Sequence, residues 1–156
     1  MHEHENALSA DPAQTGSPGG RPFHVALITI YSVENAGIRY VSAALQRAGI
    51  QTTIIFLRDW VHNRLTMPTD GEFDTVNRLL RERGIDAVGI GLMSSLYPMA
   101  LECTKRIKGA HPDLPVVWGG IHPTSAPEDC ILDVDYLCIG EGEQAAIDLY
   151  SAMRDG

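Results

Sequence analysis

Val116-Val117-Trp118-Gly119-Gly120-Ile121-His122-Pro123-Thr124 is the stretch that decides the fold. An apolar run stops at a glycine pair, and a segment suited to a loop and then a helix follows. A second stretch of the same design, Gly140-Glu141-Gly142-Glu143, begins sixteen residues after Thr124 and also follows an apolar run. Short apolar runs that end in glycine-bearing loops ahead of helices describe the carboxyl edge of a parallel sheet, where open α/β domains hold their ligands. Glycines there let a bulky group approach the backbone, because no Cβ stands in the way.

The rest of the chain repeats the alternation. Strands are expected over residues 24–30, 52–57, 87–92, 115–118 and 136–139. Between them, apolar residues recur at helical spacing. Ile38, Val41, Leu45 and Ala48 mark a first helix stopped by Gly49; Phe73, Val76 and Leu80 mark a second ending near Gly84. Leu101, Thr104 and Ile107 mark a third that starts near Pro98 and stops near Gly109. A short helical piece is expected over residues 127–132, and a last helix over 143–153 with Ile147 and Tyr150 one turn apart. Trp60, His62, Met67 and Pro68 fall in a loop. Five strands alternating with helices imply a parallel sheet covered on both faces. Right-handed crossovers then predict a flavodoxin-like, doubly wound five-stranded parallel sheet of order 2-1-3-4-5 in a three-layer α/β/α sandwich. No internal repeat is present.

The chain has 156 residues, enough for one domain with a substantial core. Apolar content of 44% and charged content of 21% are ordinary for a globular protein. A net charge of −8 argues against nucleic acid and against an anionic membrane surface. No apolar run reaches the roughly 18 residues needed to cross a bilayer, and the first residues lack a basic, then apolar, secretory pattern. The cytoplasm is the expected location. Residues 1–21 carry little apolar content and the run Thr15-Gly16-Ser17-Pro18-Gly19-Gly20, so a disordered tail is expected ahead of a domain over 22–156. His2-Glu3-His4 reads as part of that solvated tail. Cys103, Cys130 and Cys138 make neither a disulfide framework nor a metal motif, and Cys138 reads as a small core residue.

Several occupants of the sheet edge are excluded by sequence. A dinucleotide fingerprint needs three spaced glycines between the first strand and helix, and only Gly37 is there. No Gly-Lys-Ser/Thr follows a strand, so there is no P-loop. A phospho-receiver domain would place acidic residues at the ends of strands 1 and 3, where this chain has Ile30-Tyr31-Ser32 and Gly91-Leu92-Met93. Ser32 alone is thin support for a flavin phosphate loop.

Four loops together resemble the cobalamin-binding domain found in methionine synthase, in mutases, and ahead of the catalytic domain of many radical S-adenosylmethionine enzymes. Ser94-Ser95-Leu96 matches that family's Ser-x-Leu, Gly119-Gly120 its Gly-Gly, and Gly37 the last position of its Asp-x-His-x-x-Gly. Ser32 stands at the Asp position and Glu34 at the histidine position, so the imidazole that would ligate cobalt is missing. That departure, with the Trp-Gly-Gly-Ile-His-Pro-Thr and Gly-Glu-Gly-Glu segments, is similar to the radical S-adenosylmethionine branch. The resemblance implies a cobalamin whose nucleotide tail leaves cobalt and enters a cleft beside the sheet, with Gly119 and Gly120 leaving room and Ser94 bonding the base or ribose; the alternatives are a tight turn for the glycine pair and a helix N-cap for Ser94. It also implies a neighbourhood of Ser32, Glu34, Asn35, Gly37, Ser95, Leu96, Gly140 and Gly142 around the cofactor. For His122 the alternatives are contact with the corrin or tail, a structural contact within its loop, or ligation of cobalt. Glu141 and Glu143 accept from ribose hydroxyls or loop amides, or favour the start of the last helix by their charge.

The chain has no Cys-x-x-x-Cys-x-x-Cys triad and no nucleophile–base set. It is expected to bind its cofactor without turnover and to present it to a radical S-adenosylmethionine domain or subunit, where S-adenosylmethionine and a 4Fe-4S cluster reside. A flavin- or nucleotide-binding protein of the same fold, and an interaction domain that binds neither, are the alternatives.

Overall fold

His24–Thr29 (β1) is buried along its whole length, as a strand covered on both faces must be. In the computed structural model it lies inside a five-stranded parallel sheet of order β2-β1-β3-β4-β5. The other strands are β2 (Gln51–Phe56), β3 (Ala87–Gly91), β4 (Val116–Gly119) and β5 (Tyr136–Cys138). The structure describes residues 20–31, 35–58 and 65–156. The expected tail lies outside them but for its last residues, as do His2, Glu3 and His4, the two site candidates Ser32 and Glu34, and the loop residues Trp60 and His62.

Helices α1 (Ala36–Arg47), α2 (Asp70–Glu82), α3 (Tyr97–Ala110), α4 (Ile121–Ser125), α5 (Pro127–Cys130) and α6 (Gly142–Asp155) follow in chain order. Successive β1 side chains point to opposite faces. Ala26 and Ile28 join Phe73, Val76 and Leu80 of α2 and Cys103 and Ile107 of α3 in the larger core. Val25 and Leu27 face the other way and join Ile38 and Leu45 of α1 with Ala146 and Tyr150 of α6. The result is the expected three-layer α/β/α arrangement.

Local chemistry fixes the helix ends. The Asn35 side chain accepts from the Ile38 N–H at 3.1 Å and caps α1. Thr69 and Glu72 form a reciprocal capping box at the start of α2. α3 stops near Gly109 as expected: it runs one residue further to Ala110 and ends at His111, whose following Pro112 disfavours helical geometry. The expected helical piece over 127–132 divides differently. A short α4 begins directly after Gly120, α5 ends at Cys130, and residues 131–132 form a turn.

Trp118 is fully buried on the α2/α3 face, and its indole N–H donates to Thr104 Oγ1 at 2.9 Å. This bond ties β4 to α3 and satisfies the indole donor. No helix among the described residues is long and apolar enough to cross a membrane.

Candidate ligand-binding site

Three glycines of the central strands, Gly89, Gly91 and Gly119, stand where side chains would otherwise fill the space under α1 and α6. A cavity of about 480 Å³ lies there and includes all three in its walls. Strand register layers it. Leu27, Gly89 and Val117 are paired across β1, β3 and β4 and form the lower row. Thr29, Gly91 and Gly119 form the row two residues nearer the carboxyl edge. The rows are roughly 7 Å apart at the rise of a strand. Ile38 and Val41 of α1 and Ala146 and Tyr150 of α6 complete the walls, and the loops at the carboxyl edge form the mouth.

The glycines differ in what they accommodate. At Gly89 a Cβ would meet the Tyr150 hydroxyl at 2.8 Å and Leu27 Cδ2 at 2.9 Å, so this glycine admits the protein's own side chains. At Gly91, chain neighbours aside, the only atom within reach is Asn35 Nδ2 at 4.0 Å, so a side chain there would enter the cavity. At Gly119 the contact is an ordinary 3.5 Å to Cys138 Cβ. Gly120 also lines the mouth, but its φ is +103° and a Cβ would sit 2.8 Å from the Leu92 carbonyl oxygen. Its missing side chain is required by the chain's own backbone before any ligand arrives.

The lining is mainly apolar, with a few polar groups, as small-molecule sites usually are. Thr29 is buried and accepts from Asn35 Nδ2 at 3.3 Å. Asn35 therefore spends its oxygen on the α1 cap and its amide on β1. Cys138 is half-buried rather than enclosed in the core; its thiol contacts the Gly142 carbonyl at 3.8 Å, and burial pushes its pKa up. Cys103 and Cys130 are fully buried.

Sequence reasoning placed thirteen residues here, and the structure divides them. Asn35, Gly37, Leu96, Gly119, Gly120, Gly140 and Gly142 line the cavity. Ser94, Ser95, His122 and Glu141 do not; they stand at the rim, where Ser94, Ser95 and Glu141 are exposed. Ser32 and Glu34 are outside the described residues. Glu143, in the first turn of α6, lines the cavity where Glu141 does not.

The rim is organised. Ser94 Oγ and His122 Nδ1 lie 3.1 Å apart in a hydrogen bond, which joins the loop after β3 to the loop after β4. The His122 ring meets Tyr97 edge-on at 5.2 Å, and Tyr97 in turn meets Trp118 at 5.7 Å. Tyr97 donates its hydroxyl to Asp133 Oδ2 at 2.5 Å, and this carboxylate pushes the phenol up to about 12. Thr124 was not singled out from sequence, yet it links the two glycine loops. Its hydroxyl donates to the Gly120 carbonyl at 2.8 Å and accepts from the Gly140 N–H at 3.0 Å. Gly89, Gly91, Thr29 and Tyr150 were also missed. The available signal was Gly89-x-Gly91, two glycines on one face of a buried strand, which marks a close approach or a gap.

A family model described as "B12 binding domain" matches residues 25–149. No curated protein matches the chain. Among solved structures, a CheY-like protein (TadZ) from Pseudomonas aeruginosa is similar at 12% identity and a TM-score of 0.56, over 82% of this chain and 98% of that one. A response regulator from Thermotoga maritima is similar at 12% identity and a TM-score of 0.53, over 85% and 99%. At these identities the likeness is one of fold.

Proposed function

This chain belongs to the family of B12-binding domains, and on that premise we propose that it binds cobalamin at the carboxyl edge of its sheet, with the nucleotide tail in the cavity beneath α1 and α6. The observation that carries the reading is the cavity itself, opened by Gly91 and Gly119 and about 480 Å³ in volume. That volume suits a base and its sugar and is within the range of roughly 300–1,000 Å³ usual for small-molecule sites. The open space over Gly91 suits an entering group, since any side chain there would fill its path. The wider corrin would rest outside, over a rim where Met93, Ile121 and Ile139 leave large apolar surfaces exposed.

In this reading Gly91 and Gly119 clear the entrance, and Thr124 holds the two glycine loops at a fixed separation. Ser94, braced by His122, offers its hydroxyl to the tail at the rim. A desolvated polar atom of the tail left without a partner would cost about 1–3 kcal/mol, which a hydrogen bond from Ser94 offsets. Glu34 stands at the sequence position where the family motif has its cobalt-ligating histidine, so we propose binding without a protein imidazole on cobalt. Bound cobalamin supplies a cobalt centre able to carry a methyl group or take part in radical chemistry. The chain's contribution is to hold the corrin with its outer face open to a catalytic partner of the radical S-adenosylmethionine type. That partner would hold S-adenosylmethionine, a 4Fe-4S cluster and the substrate.

Titration of the full chain with hydroxocobalamin is the direct test. The expected result is a corrin spectrum and one cobalt per chain. A flavin spectrum on purification, or a colourless chain that takes up no corrinoid, would refute the reading. Paramagnetic resonance of the cob(II)alamin form should lack nitrogen superhyperfine splitting from an axial base. Cleavage of S-adenosylmethionine is expected only when a radical-enzyme partner is added, and cleavage by the isolated chain would overturn that part.

A further inference from the structure

Tyr150 lies at the floor of the cavity and has a feature that the tail reading does not use. The residue is 2% exposed, and its hydroxyl lies over Gly89 in the lower row. Among the described residues this hydroxyl has no hydrogen-bond partner, although it lines the cavity. The wall around it is Leu27, Val117, Val41 and Ala146, all apolar. The phenol is the polar group of the lower row, roughly 7 Å below the row of Thr29, Gly91 and Gly119, and the Cys138 thiol of the same cavity is near enough to interact with it. The phenol will be met by the leading end of whatever enters.

A buried hydroxyl without a protein partner is satisfied by water until a ligand displaces it. A ligand that cannot replace that bond leaves the hydroxyl unpaired, and sites built this way reject analogues that lack the matching group. Burial pushes the Tyr150 phenol well above its ordinary value, so it stays a neutral O–H, able both to donate and to accept.

We propose that the Tyr150 hydroxyl is a specificity contact, and that it selects corrinoids whose lower base carries a hydrogen-bonding group on the edge remote from the sugar. This rests on the reading that the nucleotide tail occupies the cavity. The base enters with its glycosidic edge toward the mouth, so the remote edge reaches the floor. In cobalamin that edge bears two methyl groups, which offer the phenol nothing. Adenine presents an amino group and a ring nitrogen there, and 5-hydroxybenzimidazole presents a hydroxyl. The chain is thus built for a purine or hydroxylated base, with cobalamin itself a weaker ligand.

The test is titration of the full chain with four corrinoids, followed by absorbance and calorimetry. Three carry dimethylbenzimidazole, adenine or 5-hydroxybenzimidazole as lower base, and the fourth, cobinamide, has no nucleotide. The wild-type protein should bind the adenine and hydroxybenzimidazole forms about tenfold more tightly than the dimethylbenzimidazole form. Tyr150→Phe should abolish that ratio by weakening the polar-base forms while sparing the dimethylbenzimidazole form. Because the hydroxyl has no protein partner, the variant should melt with the wild type. The wild-type ratio also tests the proposal without any variant. A wild-type preference for dimethylbenzimidazole, or a ratio unchanged in Tyr150→Phe, would overturn it. Failure of the tail reading looks different: cobinamide then binds as tightly as the nucleotide-bearing forms, or none of the four binds, and both proposals fall.

Discussion

Replacing Gly91 by valine should make the protein more stable and a worse binder at once. Gly91 is in a regular strand without positive φ, and beyond its chain neighbours its added Cβ would meet only Asn35 Nδ2 at 4.0 Å. The valine methyls would therefore project into empty cavity without displacing protein atoms. Removing a glycine from a strand interior is worth about 0.5–1 kcal/mol. Burying most of a valine side chain adds about 1–2 kcal/mol. At about 2–4 °C per kcal/mol for a chain of this size, the melting temperature should rise by several degrees. The same methyls occupy the entrance proposed for the tail, and overpacking of about 1–3 kcal/mol corresponds to affinity weakened roughly 5- to 150-fold. Thermal melts and corrinoid titrations on one preparation measure both effects. Gly109→Ala is the control, since Gly109 lies in α3 with open space at its Cβ. It should gain stability without any change in uptake. Unchanged affinity in a stabilised Gly91→Val protein would refute the claim that a ligand passes this glycine.

Three other outcomes follow from the same geometry. Alkylation with iodoacetamide should modify Cys138 first, slowly because its thiol is pushed up, and bound corrinoid should protect it; equal labelling with and without ligand would place the ligand elsewhere. Thr124→Val should weaken uptake while the melt changes little, because it frees the Gly140 loop from the Gly120 loop at an exposed position; unaltered affinity would show that the link does not shape the mouth. The Arg58 guanidinium, paired with Glu72 through two 2.7 Å bonds, holds that carboxyl down at about 2, against an ordinary value of 4.5. Its folded value is depressed, so its contribution to stability is full above about pH 4.5 and is lost as pH falls toward 2. Glu72→Gln should therefore give a shallower acid limb in urea-unfolding curves, and acid limbs that run parallel would contradict the pairing.

The layer order was legible because each strand had one pattern and one terminator. Residues 25–28 form an unbroken apolar run, and a strand buried on both faces needs that. The loops at the carboxyl edge were legible for the same reason, since glycine pairs after apolar runs have few other uses. Helix ends were less so. The piece expected over 127–132 ends its helix at Cys130 and continues as a turn, whereas Gly109 marked the end of α3 to within one residue. The backbone restriction that Pro112 imposes on His111 completes that stop.

The sequence by itself determined the five-stranded parallel fold, the glycine loops at its carboxyl edge and the family, because hydrophobic period and glycine placement are properties of neighbouring residues. What the tertiary structure decided is which of the named residues face the same space. Gly89 and Gly91 belong to the site only because strand pairing sets them beside Leu27 and Thr29. Tyr150 reaches it from a helix that packs across the sheet more than fifty residues later. Gly120 was read as room for a ligand, yet the Leu92 carbonyl already requires it. Ser94 and His122 stand at the rim because they bond each other there. Such facts depend on register and on distances between segments remote in sequence, and local pattern carries no record of either.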